Sequence, residues 1–477
     1  MKDKLLRAFM ASQEPEETMY HQIITLIKKR VESFQSNKKQ KKLPRTKLKL
    51  LLAGYAGAGN TGSDIRTFEM IRQFQAILGK KNLHLTLMVM SKSFAGETFN
   101  HVNIAAPQYT PSFLFKEVAK HHGVIACEGS LFKSNFSPIL SLNMLSAMGL
   151  ALSENKIAIA YGAEAGWMDE KVKQFSQDYC KNALAICRNP QSQAILTSLG
   201  LRVAPGADPA WTFEPHNTTN TYSLLRESGW DGKKRIIAIC PMNPFWWPVR
   251  ADPERAKQTK ANMKEQYHKS IFFHAQSEEI EKKYKHYLSE LAKAIHALCK
   301  KYRLFPIIVG MERVDYPACE DLRNQLSFKN KIPIFLNGQW NMHDIVKLLR
   351  HARYLISSRF HAIVTAISND VIPIGIAMDE RIENLLINLG HPELILKANE
   401  IELSEKLLHL FASRDEYTIK KSIKIMLKTQ LKALGEMGMI LREEIQNGVP
   451  TFSLPPLSPH WRAHLPPLSN YLNQLLD

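Results

Sequence analysis

Residues 354–368, YLISSRFHAIVTAIS, contain the strand–helix junction that decides the fold of the second half of this chain. Tyr354–Ser357 is short and apolar, which predicts a buried strand, and Phe360–Ser368 carries apolar residues at helical spacing. Arg359 and His361 lie between the two, where the strand ends and the helix begins. In an open parallel sheet this edge faces the crevice in which ligands bind, and a helix start attracts anions. The stretch therefore predicts an anion site in a parallel α/β sheet.

Strand-like and helical patterns alternate on both sides of this junction. Strands are expected at 48–53, 85–90, 124–127, 157–161, 185–187 and 201–204, and then at 235–240, 305–309, 332–336, 354–357 and 372–376. Helical patterns separate most of them, for example 64–78, 170–182, 191–199, 278–302 and 343–350. Such alternation indicates parallel, doubly wound sheets. We therefore predict an α/β protein with two Rossmann-like domains that face each other across a cleft.

The length of 477 residues suits two domains with extensions better than one core. We expect a basic N-terminal extension at 1–46, a first domain at 47–215 and a second domain at 233–412. The second domain carries the anion site predicted at 354–368. The polar stretch 216–232 is interpreted as a linker. Helices and a Pro-rich tail follow at 413–477, and we expect them to pack back across both halves.

The net charge of +18 favours anionic partners, either small substrates or an anionic membrane surface. No RNA-binding or helix-turn-helix signature is present, so nucleic acid is not expected. The run Lys38, Lys39, Lys41 and Lys42 in the extension is interpreted as a solvated arm or as a contact with anionic lipid. Without a signal-like or membrane-spanning apolar run, the sequence favours a cytoplasmic protein that is peripheral to the membrane at most.

A glycine-rich turn follows the first expected strand, and Gly57, Gly59 and Asn60 are its candidate ligand contacts. The spacing matches a dinucleotide fingerprint, which also requires an acidic residue at the end of the second strand. That strand instead ends in Ser91-Lys92, so NAD is disfavoured and NADP is left as a remote alternative. The turn either brings backbone N–H groups to another ligand or serves packing alone.

Further candidates follow later strands. Glu128 is a base or acceptor ligand, or caps the next segment through Ser130. Arg188 suits a phosphate or carboxylate, with a structural salt bridge as the alternative. Trp246 and Trp247 provide a stacking wall for a sugar or pack into a local core.

The junction at Arg359 and His361 supplies the strongest candidates, an anion clamp and a proton carrier. The alternative is an exposed salt bridge for Arg359 and a core imidazole for His361. Arg381 adds a third cation after the next strand, beside Asp379. Asp379 is also read as a helix cap. No metal-type spacing of Cys, His or carboxylates is visible, so no metal is expected.

In order, these segments resemble the polysaccharide pyruvyl transferase family over roughly 48–390. The matching pieces are 54–60, 128–130, 185–188 with Ser192, 199–200, 208–210 and 358–362 with Pro373 and Asp379, and Arg381 stands where the family has a lysine. The resemblance implies a GT-B-like pair of domains that transfers pyruvate from phosphoenolpyruvate to a saccharide as a ketal. It also implies no cofactor, phosphoenolpyruvate as donor, and a saccharide or lipid-linked saccharide as acceptor.

Two other functions are compatible with the same sequence. One is a GT-B glycosyltransferase that uses a nucleotide sugar, with Asp379 and Glu380 near a ribose. The other is a non-catalytic saccharide-binding protein of the same fold. Fold alone does not separate these functions, because function depends on the site.

Overall fold

A computed structural model describes residues 2–36, 47–107, 109–216, 219–258, 271–328 and 330–477. Its strands are β1 Leu48–Ala53, β2 Leu83–Met88, β3 Asn103–Ala105, β4 Gly123–Ala126, β5 Ile157–Ala163, β6 Leu184–Cys187, β7 Arg202–Pro205, β8 Ile236–Cys240, β9 Arg250–Ala251, β10 Phe272–Phe273, β11 Phe305–Gly310, β12 Ile334–Leu336, β13 Tyr354–Ser357, β14 Ile372–Ala377 and β15 Ile395–Lys397.

The α-helices, numbered in chain order, are α1 Lys2–Ala11, α2 Pro15–Ser36, α3 Thr61–Leu78, α4 Lys92–Ala95, α5 Thr110–Glu117, α6 Pro138–Leu152, α7 Glu170–Tyr179, α8 Pro190–Ser198, α9 Thr221–Glu227, α10 Pro253–Gln258, α11 Glu278–Tyr302, α12 Tyr316–Gln325, α13 Met342–His351, α14 Phe360–Ile367, α15 Glu380–Asn388, α16 Leu403–Ser413, α17 Glu416–Gly448 and α18 Asn470–Leu476.

Two parallel sheets form the two halves of the molecule. The first has the order β3-β2-β1-β4-β5-β6-β7, and the second has the order β12-β11-β8-β13-β14-β15. The central strands are wholly buried on both faces, as the continuous apolar runs of their sequences require. The prediction of two doubly wound α/β domains is confirmed. The sequence missed β3, β9, β10 and β15, because strands of two or three residues carry little periodicity. β12, also of three residues, was found because it ends the longer apolar run 332–336.

The segments outside the sheets also form ordered helices. Helix α2 buries Met19, Ile23 and Ile27 against the first domain, and Glu16 at its start forms an ion pair of 2.7 Å with Arg250 of the second half. The lysine run at 38–42 lies outside the described residues. Helix α17 packs on α3 and β5 of the first half and on β14 of the second.

Among the described helices, none combines the length and hydropathy that crossing a bilayer requires. All six cysteines are buried and form no disulfide.

Candidate functional site

The polar residues of the site follow the carboxyl ends of strands in both sheets, and these ends face each other. In the first sheet they follow β1, β4, β5, β6 and β7, and in the second they follow β11, β13 and β14. An open α/β sheet places its ligands at this edge. The two domains therefore bring residues that are far apart in sequence into one cleft.

His361 is the second residue of α14 and faces the first domain. Its Nε2 atom lies 3.5 Å from Oδ2 of Asp208, and its side chain is 13% exposed. A Cβ atom at Gly62 would lie 2.2 Å from Nδ1 of His361. Only glycine at this position of α3 leaves room for the imidazole. The ring thus sits between the domains.

The protonation of His361 is set by opposing neighbours. Burial disfavours the imidazolium and lowers its pKa, the Asp208 carboxylate works against this, and Arg188 and Arg66 add to the lowering. The net result is a pKa below the ordinary value of histidine. The described structure therefore favours a neutral imidazole at neutral pH.

Asp208 is the centre of the charged cluster in the first domain. Its Oδ2 accepts hydrogen bonds from Arg66 Nη1 at 2.5 Å and from Arg188 Nη1 at 2.7 Å. Burial opposes ionisation, but Arg66, His361 and Arg188 outweigh it and hold the pKa of Asp208 well below its usual value. Asp208 is therefore a fixed carboxylate that orients the imidazole opposite it.

Arg188, predicted to bind an anion, is occupied by carboxylates of its own domain. Besides Asp208, it pairs with Glu164, and its guanidinium lies 4.1 Å from the ring centre of Phe360 in the second domain. The salt-bridge alternative thus describes its state in this structure. The contact with Phe360 also brings Arg188 against the 358–362 segment, next to His361.

Arg359 occupies the N-cap position of α14, without a side-chain capping bond, and pairs with two carboxylates from the loop after β11. Its Nε donates to both oxygens of Asp315 at 3.0 Å, and its Nη1 lies 3.3 Å from Oε2 of Glu312. Burial raises the pKa of Asp315 to about 6, although Arg359 opposes this. Neither carboxylate stood out in the sequence, because nothing there indicates that the 310–315 loop faces Arg359.

The glycine turn forms one of the contacts between the two domains. Gly57 has φ +65°, where a side chain is strained. Asn60 caps α3 and donates from Nδ2 to Oε2 of Glu312 at 2.8 Å, and Thr61 N donates to the carbonyl of Met311 at 2.8 Å. Gly59 lies beside Asn337, with its φ at +75°. These atoms are therefore engaged with protein, and Glu312 links the turn to Arg359.

Glu128 and Ser130 lie at the carboxyl end of β4. Ser63 donates to Oε2 of Glu128 at 2.5 Å, and the Gly129 N–H donates to Oε1 at 2.9 Å. A Cβ at Gly129 would lie 2.6 Å from Arg188, so this turn borders the central cluster. Ser130 is half-buried, and its carbonyl accepts from Ser141. The side chain of Glu128, and not that of Ser130, thus makes the hydrogen bonds at this turn.

Arg381 belongs to a charged group that also joins the two domains. Its Nε donates to Asp379 at 2.9 Å, and Lys133 of the first domain pairs with the same carboxylate at 2.9 Å and with Glu380 at 3.2 Å. Burial opposes ionisation, but Arg381 and Lys133 hold the pKa of Asp379 below its usual value. Asp379 also caps α15, as predicted. The wholly buried Lys133 went unnoticed in the sequence, because its apolar surroundings give it no pattern of its own.

The tryptophan pair lies beside this group. Trp246 stacks on His274 with ring centres 4.1 Å apart, and Trp247 meets Phe136 edge to face at 5.1 Å. Trp246 also lines a groove of about 880 Å³ on the outer side of α11 and α12. Both indole N–H groups are buried and have no hydrogen-bond partner among the described residues. The pair is thus mostly packed, with Trp246 also facing a groove.

The comparisons with known proteins place the chain in a family. The family model for polysaccharide pyruvyl transferase matches residues 60–380, which is more than half of the chain and includes both clusters around Asp208 and Arg359. No curated protein matches at a significant level. The family match covers the strand–helix junction at 354–368 that carries His361.

Solved structures resemble the fold at low sequence identity. HepE from Anabaena, solved with UDP-glucose, is 9% identical, covers 83% of this chain and 100% of its own, and has a TM-score of 0.52. MnaA from S. aureus, solved with UDP, is 10% identical, covers 86% of this chain and 99% of its own, and has a TM-score of 0.50. At these identities the likeness shows the fold alone, a GT-B-type pair of α/β domains.

Proposed function

Because this chain belongs to the polysaccharide pyruvyl transferase family, we propose that it transfers pyruvate from phosphoenolpyruvate to saccharide hydroxyls as a ketal. The observation that carries the proposal is the imidazole of His361 opposite the Asp208 carboxylate of the other domain, at 3.5 Å. Arg188 and Arg359 flank it. This arrangement combines a proton carrier with two cations. A reaction on a donor that carries two anionic groups requires both.

The donor carries a carboxylate and a phosphate, and the cleft holds arginines for both. In the described structure each arginine is balanced by carboxylates, Arg188 by Glu164 and Asp208, and Arg359 by Asp315 and Glu312. We infer that the donor binds by exchanging some of these partners. We propose that Asp315 is released on donor binding, because burial raises its pKa to about 6 and it is more readily protonated than an ordinary aspartate.

Ketal formation moves protons without a net requirement for acid or base. The methylene carbon of the donor gains a proton, one sugar oxygen bonds to the central carbon, and a second sugar oxygen displaces phosphate. Two hydroxyl protons are released, and they balance the proton gained by carbon and the one gained by the departing phosphate. A group that both accepts and returns a proton therefore serves the whole sequence.

His361 fits this role at neutral pH. Its lowered pKa keeps the imidazole neutral, so it first accepts the hydroxyl proton as a base. Asp208 then stabilises the imidazolium, which can return the proton. Positioned acid–base groups contribute about 10²–10⁴-fold to a rate. Arg359 holds the donor, and Glu128 at the end of β4 is proposed to bind an acceptor hydroxyl.

The test is phosphate release from phosphoenolpyruvate over a panel of acceptor glycans and lipid-linked glycans. Thermal-shift measurements with phosphoenolpyruvate, UDP and GDP accompany it, because a ligand that binds the folded state raises its Tm. The proposal expects a shift with phosphoenolpyruvate and acceptor-dependent phosphate release. A shift with a nucleotide alone would support a glycosyltransferase instead. Glycan binding without phosphate release from any acceptor would support a binding protein.

The cellular location is proposed on the same basis. A lipid-linked acceptor would bring a cytoplasmic enzyme to the membrane surface, and the net charge of +18 would assist contact with anionic lipid. Sedimentation of the full chain with anionic vesicles tests this contact.

A further inference from the structure

A second concave site lies at the opposite edge of the second sheet from the cleft. Its volume is about 540 Å³, and it is lined by Lys233, Lys234, Arg235, Tyr302, Arg303, Leu304, Tyr354 and Arg414. Five of these eight residues are cations, and none is a carboxylate. Seven of the residues precede β8 or β11 or begin β13, at the amino edge of the sheet, and Arg414 lies beside them as the C-cap of α16. We call this site the basic pocket.

The cations of the basic pocket are poorly balanced. Lys233, Arg235 and Arg303 have no ion-pair partner within the ranges that the structure describes. Lys234 reaches Asp231 only at 3.8 Å, and Arg414 shares Glu416 with Arg353. Five cations thus face two neighbouring carboxylates. Like charges gathered in one concavity repel each other, and an anion that enters relieves the repulsion.

The floor of the pocket is rigid. The Arg414 guanidinium lies 3.7 Å from the ring centre of Phe411 and 4.5 Å from that of Tyr354, and it donates to the Tyr354 hydroxyl at 2.8 Å. Its Nε is buried and has no hydrogen-bond partner among the described residues. Its Nη2 donates to both the Tyr354 hydroxyl and Glu416, which fixes the orientation of the guanidinium at the pocket wall.

Arg303 occupies a position that suits glycine better than arginine. It ends α11 in the left-handed conformation, with φ 53° and ψ 47°. Helices usually place glycine there, since it has no Cβ. Cations near a helix C-terminus also interact favourably with the helix dipole. That effect accounts for Arg303 and for Arg414, which is the C-cap of α16, but not for Lys233 and Arg235.

From this arrangement we propose that the basic pocket binds a phosphate-bearing anion. The volume admits more than one phosphate group, and the cations surround it from several elements. The ligand is either a free phosphorylated molecule or a phospholipid headgroup at a membrane surface. Both present the same chemistry, phosphate oxygens that accept charge-assisted hydrogen bonds.

The test measures binding of inorganic pyrophosphate by titration calorimetry, and of phosphatidylcholine vesicles with and without phosphatidylglycerol by sedimentation. Arg303→Gly removes a cation and relaxes the backbone, so its Tm should stay the same or rise while affinity falls about fivefold. The double variant Lys233→Glu with Arg303→Glu should lose more than about fivefold in affinity, because it reverses two charges. The matched control, Lys421→Glu with Lys424→Glu, changes two exposed lysines of α17 and should keep the affinity.

Arg359→Lys is the cleft control: binding that Arg359→Lys weakens and the pocket variants leave unchanged lies in the cleft, and the opposite result places it in the basic pocket. Pyrophosphate binding that the pocket variants weaken assigns a free ligand, and vesicle binding that they weaken assigns a lipid headgroup. The proposal is overturned if wild-type protein binds neither probe. It is also overturned if the pocket variants bind as well as the control pair.

Discussion

Basic side chains gather both in the cleft and in the basic pocket, yet the two regions differ in how their charge is balanced. In the cleft, Arg188 and Arg359 each contact two carboxylates, and Lys133 contacts two more. In the basic pocket, Arg235 and Arg303 contact none among the described residues. Burial accounts for the difference, since a charge removed from water is costly unless it is paired.

The two regions contribute differently to the net charge of +18. The sequence interpretation assigned the basic character to a cleft that attracts anions, but the described cleft is close to internal balance. Three cations without an ion-pair partner among the described residues, Lys233, Arg235 and Arg303, lie at the far edge of the second sheet. A buried arginine in the cleft must exchange partners to bind a substrate, whereas an exposed one in the pocket binds without such exchange.

The largest expected effect falls on catalysis in the cleft. His361→Ala should lower kcat by about 10²–10⁴-fold, because it removes the proton carrier and leaves the arginines in place. The measurement is acceptor-dependent phosphate release under saturating donor. Lys233→Ala in the basic pocket is the control and should keep the wild-type kcat. Equal kcat in wild type and His361→Ala would remove the proposed role.

Stability should separate paired from unpaired cations. Lys133→Met leaves the buried Asp379 with Arg381 alone and should lower the free energy of unfolding by about 3 kcal/mol. Lys233→Met, which breaks no ion pair among the described residues, should hardly change it. Urea unfolding of both variants makes the comparison. Equal losses would show that pairing does not distinguish the two regions.

The pH dependence should report the contact between His361 and Asp208. The Asp208 carboxylate raises the pKa of His361, while burial and the neighbouring arginines lower it. Asp208→Asn should therefore lower that pKa further, so the base form persists to lower pH. The acid limb of the kcat/KM profile is expected to move toward lower pH, measured under conditions in which both proteins remain folded. Movement toward higher pH would contradict the assignment.

The smallest effect is expected from Arg303→Gly. The residue lies far from the cleft and in a conformation that glycine tolerates. Phosphate release should stay within about twofold of wild type, since a surface substitution away from the site changes little. A large loss of kcat would mean that the basic pocket and the cleft are coupled.

The sequence predicted the framework because repeating apolar patterns identify the strands. The strand Tyr354–Ser357 was predicted with its observed bounds, and the two-domain fold is confirmed. The same periodicity located Arg359 and His361 at a strand end, which is the cleft edge. It missed β3, β9, β10 and β15, whose two or three residues are too few to show a pattern of their own.

The carboxylates that contact His361, Arg359 and Arg188 were harder to predict from the sequence. Asp208 was noticed as part of a motif, but its contact with His361 joins positions on two different domains. Glu312 and Asp315 meet Arg359 only because β11 and β13 flank β8 in the sheet. Such contacts depend on strand order, which local sequence does not state. Arg188 was therefore expected to be open to an anion, although Glu164 and Asp208 hold it.

The most direct test follows the three carbons of isotope-labelled phosphoenolpyruvate into the acceptor by mass spectrometry, in wild type and in His361→Ala. A pyruvyl transferase with its reaction centre at His361 should give a labelled ketal on the saccharide, with an equal amount of free phosphate, and His361→Ala should give neither at a comparable rate. Label recovered only as free pyruvate, or an unlabelled saccharide with every acceptor, would contradict pyruvyl transfer. A labelled ketal formed equally fast by His361→Ala would move the reaction centre elsewhere.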